Sequence, residues 1–293
     1  RHQGRFRVSF SLTGIVINQF MEYAPEVLDS FRALARTGCV EFLDETDNHS
    51  LSCLFSEDEF RGEDMRPRRR MQEIFGQSPR AFRNTELVYS NDVARMAREM
   101  GYDVILAEGT ESMLGWRSPH FVYEPARCPG MKLMLRSYSL SDDIAFRFSN
   151  HDWPEFPLTA EKFTRWAEAA GANGGLVNLF MDYETCGEHQ WADTGIFDFM
   201  RALPGCVLSD PEFDFLTVSE AADRYPVRGE LDVPGYVSWA DAERDLSAWL
   251  GNDMQKDAFR ALYECLGLVK YVNDPELDEA WRRLQSSDHL YYM

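Results

Sequence analysis

No apolar run in this 293-residue chain approaches the roughly 18 residues that cross a membrane, which excludes a helical span. Positive charge is scarce: 30 Lys and Arg face 49 Asp and Glu, for a formal net charge of -19. Nucleic acids and anionic membranes select basic surfaces, so neither is expected as a partner. A neutral ligand such as a sugar fits this charge, and so does a salt-rich habitat. The six cysteines (Cys39, Cys53, Cys128, Cys186, Cys206 and Cys265) form no C-x-x-C pair. Neither structural zinc nor a disulfide framework is expected. The six histidines never stand at the i, i+4 spacing of a helical zinc motif, which disfavours that motif; the leading expectation holds no metal and no cofactor, with a metal site from converging loops kept as an alternative. No apolar signal-like core follows Arg1 to Arg5, and the expected compartment is the cytoplasm. Internal repeats and low-complexity tracts are missing as well.

What is present is a globular composition, 44% hydrophobic and 13% aromatic, enough for a sizeable core. Strand-like and helix-like stretches alternate through residue 210. Strands are expected at Arg7–Leu12, Val40–Leu43, Ala81 onward, Val104–Ala107, Lys132–Tyr138, Ile144–Phe148 and Leu176–Met181. Helices are expected over Tyr23–Arg36, after a Ser56 cap with Pro67 breaking the run, after an Asn91 cap, and after a Thr159 cap. The basic run Arg66–Arg70 reads as a solvated helix face. Such alternation argues for a parallel sheet with covering helices. Residues 211–237 read as a linker with Pro226 and Pro234, and residues 238–293 as helices only. The first of these begins at Ser238, with Asp241 at the capping-box position.

Acids recur where the strands end: Glu41 with Glu45, Glu86, Glu108, Asp142 with Asp143, and Asp182 with Glu184. In a barrel these ends share one face. Unpaired carboxylates gathered there repel one another, so a cluster points to use. Two chemistries compete: a divalent-metal site, and acid/base with nucleophilic work on a sugar. His49 and His189 suit hydrogen bonds to sugar hydroxyls, or serve simply as polar rim residues. Trp116, Trp153, Trp191 and Trp239 stand beside polar or charged residues and suit stacking on sugar rings, with Trp116 and Trp191 favoured for a cleft. Trp166, Trp249 and Trp281 fall on apolar helix stripes and read as core. Cys186 sits among acids, which raise a thiol pKa and weaken it as a nucleophile.

Several segments together resemble glycoside hydrolase family 57 in its α-amylase-like branch. Met181-Asp182-Tyr183-Glu184-Thr185-Cys186-Gly187-Glu188-His189 resembles the fourth conserved region, with Cys186 replacing the usual Phe. Phe82-Arg83-Asn84-Thr85-Glu86-Leu87 resembles the third region and Gly38-Cys39-Val40-Glu41 the second. Ser238–Asp245 and Leu284–His289 are similar to the C-terminal segments. The first region, a His-Gln-Pro strand, is expected before Arg1, and relatives are expected to continue beyond Met293.

The resemblance implies a (β/α)7-type barrel followed by a helical region, acting on α-glucans with retention of configuration. It makes Glu86 the nucleophile and Asp182 the general acid/base. Glu41, Glu184, Asp241 and Asp288 would hold hydroxyls or support positive charge, and Glu108 joins the substrate-binding group. A 4-α-glucanotransferase or branching enzyme would use the same pair. A metal-dependent deacetylase and a non-catalytic glucan-binding protein are the remaining alternatives.

Overall fold

The computed structural model describes residue 2, residues 4–172 and residues 175–293, but not the side chains of residues 64–67. Seven strands are defined among them: β1 (Val8–Ser11), β2 (Val40–Leu43), β3 (Ala81–Arg83), β4 (Val104–Glu108), β5 (Val122–Pro125), β6 (Lys132–Arg136) and β7 (Val227–Leu231). β1 and β2 pair in parallel, and the remaining five lie in the order β3-β4-β6-β5-β7. Asp44 joins the two groups: its N–H bonds to Ala81 O at 3.0 Å and its O accepts from Arg83 N at 2.9 Å. β5 runs antiparallel to β6, and β7 is parallel to β5.

Among the described residues, fourteen α-helices connect and cover the strands. α1 (Gly14–Tyr23), α2 (Pro25–Ala35) and α3 (Glu57–Phe75) lie on β1 and β2. α4 (Asn91–Glu99), α5 (Glu111–Leu114), α6 (Tyr138–Ala145), α7 (Ala160–Gly171), α8 (Ile196–Val207) and α9 (Val218–Arg224) follow. The last five are α10 (Ser247–Leu250), α11 (Asp253–Glu264), α12 (Leu266–Val272), α13 (Pro275–Arg283) and α14 (Asp288–Tyr291). None is long and apolar enough to cross a membrane among the described residues.

Side-chain alternation along the strands decides what each face meets. Phe82, Ile105, Ala107, Leu133 and Leu135 pack against Val93, Ala94, Met96 and Ala97 of α4. The alternate residues Ala81, Val104, Leu106 and Met134 pack against Val218, Ala221 and Ala222 of α9. Burying each large apolar side chain stabilises the fold by about 1.5–3 kcal/mol. Two residues beyond the apolar positions of that second face come Arg83, Glu108 and Arg136, at the C-terminal ends of three neighbouring strands.

Several sequence expectations change. Pro25 opens α2 and divides the expected helix, which is preceded by α1. Ser90, not Asn91, caps α4, because the Asn91 amide is bonded to Asp232 and Val233. α3 runs unbroken through residue 67. In the basic run, Arg68 stacks on Tyr102 and Arg70 reaches Asp47, so this is not a plain solvated face; the Arg66 side chain lies outside the described residues. Of the strand expected at 144–148, Ile144 and Ala145 end α6 and residues 146–148 form a turn, with Leu140, Ile144 and Phe148 buried together. Leu176–Met181 is extended without a strand ladder; its bonds go to β6 and α6, with Asn178 O accepting from Ser137 N and Phe180 O from Arg136 Nε. Residues 211–237, expected as a linker, hold α9 and β7. No helix begins at Ser238. Its hydroxyl serves a turn, donating to Asp245 O and accepting from Ala240 N, and Asp241 and Arg244 both adopt φ 52°.

Candidate active site

Glu86 lies in a single 3-10 turn directly after β3. Its carboxylate receives three side chains from distant parts of the chain. His49 Nε2 is 2.9 Å from Oε1, Trp239 Nε1 donates to Oε2 at 2.6 Å, and Ser287 Oγ donates to Oε1 at 3.3 Å. The Trp239 N–H also donates to Glu86 O at 3.2 Å. His49, Glu86 and Leu87 have φ of 52°, 57° and 51°, conformations that cost non-glycine residues about 1–3 kcal/mol each. The Thr46 and Thr85 hydroxyls, 2.6 Å apart, tie the two turns together.

His49 stands between two carboxylates, with Nδ1 3.3 Å from Glu45 Oε2. Burial alone would lower its pKa. The bonds and charges of Glu45 and Glu86 outweigh that and raise it to about 10. It is therefore an imidazolium at neutral pH that donates through both nitrogens. Burial likewise opposes the charge on Glu86, but His49, Arg83 and Trp239 bring its pKa down to about 2. Glu45 is also held below the ordinary range: against burial, it has Arg83 at 3.1 Å, His49, and Ser11 at 2.8 Å.

Asp182 precedes a second 3-10 turn, Tyr183–Thr185. The Tyr183 ring rests on Phe10 and Phe31, which docks this segment against β1 and α2. Asp182 is exposed as a residue, yet protein crowds its carboxyl. That crowding raises its pKa; Arg83 opposes the rise, the Glu86 charge adds to it, and His189 and His49 oppose it again. Two acids close enough to feel each other are thus driven in opposite directions. Glu184 is raised as well, by desolvation and then by Asp182, with His189 Nε2 3.4 Å away as counter-charge. Asp288 adds to the same acidic group and accepts from Ser286 Oγ at 3.1 Å.

The other expected site residues fall elsewhere. Glu41 is taken up by the start of α9, accepting from Ser219 N at 2.9 Å, from the Ser219 hydroxyl, and from Ser9 Oγ at 3.2 Å. Glu108 is fully buried and held by Arg136, Arg244 and Gly109 N, each at 2.9 Å, so it supports structure instead of meeting a ligand. Asp241 is exposed and acts electrostatically on Tyr291. Trp116 and Trp191 are exposed, and Trp116 carries the Arg117 guanidinium 5.5 Å from its ring centroid. Cys186 is half-buried and its thiol is pushed up by burial. Arg83, Arg136, Arg244 and Ser287 were not singled out from sequence, although Arg83, Arg244 and Ser287 lie inside quoted motifs. Among the described residues, no three His, Cys, Asp or Glu side chains gather so as to hold a metal ion.

A protein of Methanocaldococcus jannaschii named "Putative alpha-amylase" is 45% identical over 299 aligned positions, which cover 98% of this chain and 63% of that protein. The chain thus spans less than two thirds of that relative. The fold is similar to that of a branching enzyme from Pyrococcus horikoshii (TM-score 0.72, 15% identity, 94% of this chain and 64% of that one). It is also similar to that of a 4-alpha-glucanotransferase from Thermococcus litoralis (TM-score 0.69, 17% identity, 92% of this chain and 41% of that one). The sequence pattern of glycosyl hydrolase family 57 matches residues 1–234, and with a relative this close the chain belongs to that family.

Proposed function

We propose that this chain carries the catalytic centre of a retaining α-glucan hydrolase of α-amylase type, with Glu86 as nucleophile and Asp182 as general acid/base. The opposite displacement of the two acids carries the reading: Glu86 is held ionised and Asp182 is biased toward its protonated form. In the first step a Glu86 oxygen attacks the anomeric carbon while Asp182 gives its proton to the departing glycosidic oxygen. The covalent glycosyl ester is then released by water, whose proton returns to Asp182. Glu184, His189 and Asp288 would bind sugar hydroxyls, and exposed Trp191 would offer a stacking face. The net charge of -19 suits a neutral glucan. The closed seven-stranded barrel of the family belongs to the same reading.

The test uses Glu86→Ala and Asp182→Ala with a maltooligosaccharide. Each loses about 100- to 10,000-fold or more in kcat. Added azide restores turnover to Glu86→Ala and yields a glycosyl azide of inverted configuration. Full activity in both variants would overturn the assignment. If an acceptor sugar enters in place of water, the same pair makes a glucanotransferase or branching enzyme, and longer or branched products identify it.

A further inference from the structure

Trp239 is the only ring that grips Glu86 through both main chain and side chain among the described residues, and it sits on an irregular loop. Something must fix that loop. The Arg83 guanidinium lies 4.9 Å from the indole centroid and the Arg136 guanidinium 5.7 Å from it. Each arginine is itself anchored. Arg83 is bonded to Glu45 at 3.1 Å. Arg136 reaches Glu108 at 2.9 Å, Asp142 at 2.6 Å and Phe180 O at 2.7 Å. The far end of the loop returns to the same acids. Arg244 Nη1 is 2.9 Å from Glu108 Oε2, and its Nη2 is 3.7 Å from Asp142 Oδ2. Its guanidinium also covers Tyr138 at 4.1 Å. Ser238 and Arg244 close the loop between them through a 3.0 Å main-chain bond.

We propose that the quartet Glu108, Arg136, Asp142 and Arg244, its first two members buried and its last two half-buried, is a positioning device for the reaction, which acts by holding Trp239 against Glu86. Resting on Glu86 as nucleophile, this assigns a task to charges that touch no substrate. Glu108 is 0% and the Arg136 side chain 4% exposed, so neither reaches a ligand. Two acids and two bases balance in charge, which offsets part of the cost of burying Glu108 and Arg136. The quartet arises from strand order. Glu108 and Arg136 are direct partners across the β4–β6 ladder.

The experiment is a double-mutant cycle of Arg244→Gln and Trp239→Phe, with Arg244→Lys as the conservative control. Arg244→Gln lowers kcat by about 10- to 100-fold, as expected for a displaced reacting group. It also moves the acid limb of the kcat/KM pH profile upward, because Glu86 loses its indole donor. Arg244→Lys recovers part of both. In the Trp239→Phe background the Arg244→Gln loss largely disappears, since both changes remove one bond. Additive losses, or an unmoved acid limb in Arg244→Gln, would overturn the proposal. If Arg244→Gln does not fold, Asp142→Asn replaces it in the same cycle, with the same outcomes. Glu86→Ala is measured alongside. An inactive Glu86→Ala with an additive cycle defeats only the positioning role, whereas an active Glu86→Ala defeats the nucleophile itself.

Discussion

Replacing His49 with glutamine isolates the charge on which Glu86 depends. His49 stands 2.9 Å from Glu86, and its pKa near 10 makes it a cation at neutral pH. Glu86 is brought from the usual 4.5 to about 2, a preference for the ionised form of about 3 kcal/mol. Burial works against that preference, so the attractive partners together supply more than this. Glutamine can still donate a hydrogen bond but carries no charge. Losing an opposite charge at this distance raises a carboxyl pKa by about one to two units. The acid limb of kcat/KM then moves up by the same amount, read from initial rates on a maltooligosaccharide between acid and neutral pH. Stability follows with a definite sign. Glu86, with its folded pKa lowered, stabilises the fold above 4.5 and loses this as pH falls through about 2. His49, with its folded pKa raised, stabilises the fold below 6.5 and loses this as pH rises through about 10. The stability gap between wild type and variant therefore narrows on the alkaline side. A folded His49→Gln with the wild-type acid limb would refute the reasoning.

Two further outcomes concern the scaffold. Phe42, fully buried and stacked on Phe75 at 3.9 Å, should lose about 3–5 kcal/mol as Phe42→Ala in urea denaturation, and a loss below about 1 kcal/mol would contradict the packing. Burial pushes Glu63 to about 7 despite bonds from Asn48 and the pull of Arg282. The folded chain therefore takes up that proton more readily than the unfolded chain, and stability falls as pH rises from 4.5 toward 7. Glu63→Gln should flatten this slope, and equal slopes in both proteins would place its origin elsewhere.

The elements legible in the sequence were those whose signals are local. The apolar run of β4 is buried at every position, and Ser56 and Thr159 cap the helices they were expected to cap. β7 escaped because Val-Arg-Gly-Glu-Leu is mostly exposed and only Leu231 is buried, so no alternation marks it. Ser238 with Asp241 misled because a serine followed by an acid serves a tight turn as well as a helix start. The left-handed backbone at Asp241 and Arg244 decides between the two and leaves no mark in composition.

The site divides along the same line. Glu86 and Asp182 stand in compact motifs, but what sets their charge comes from far along the chain: Trp239 is 153 residues from Glu86 and Ser287 is 201. Which charges meet is a property of strand order. Glu108 faces Arg136 because β4 pairs with β6 and not with β5, its successor in sequence. Had β4 paired with β5, Arg136 would leave both Glu108 and the Trp239 ring, and a buried carboxylate would stand with one cation fewer. Weakening the pairing of a buried carboxylate, which would keep only Arg244, works against that alternative order. The quartet that is proposed to hold Trp239 thus also disfavours a wrong topology, so selection for either role preserves the other.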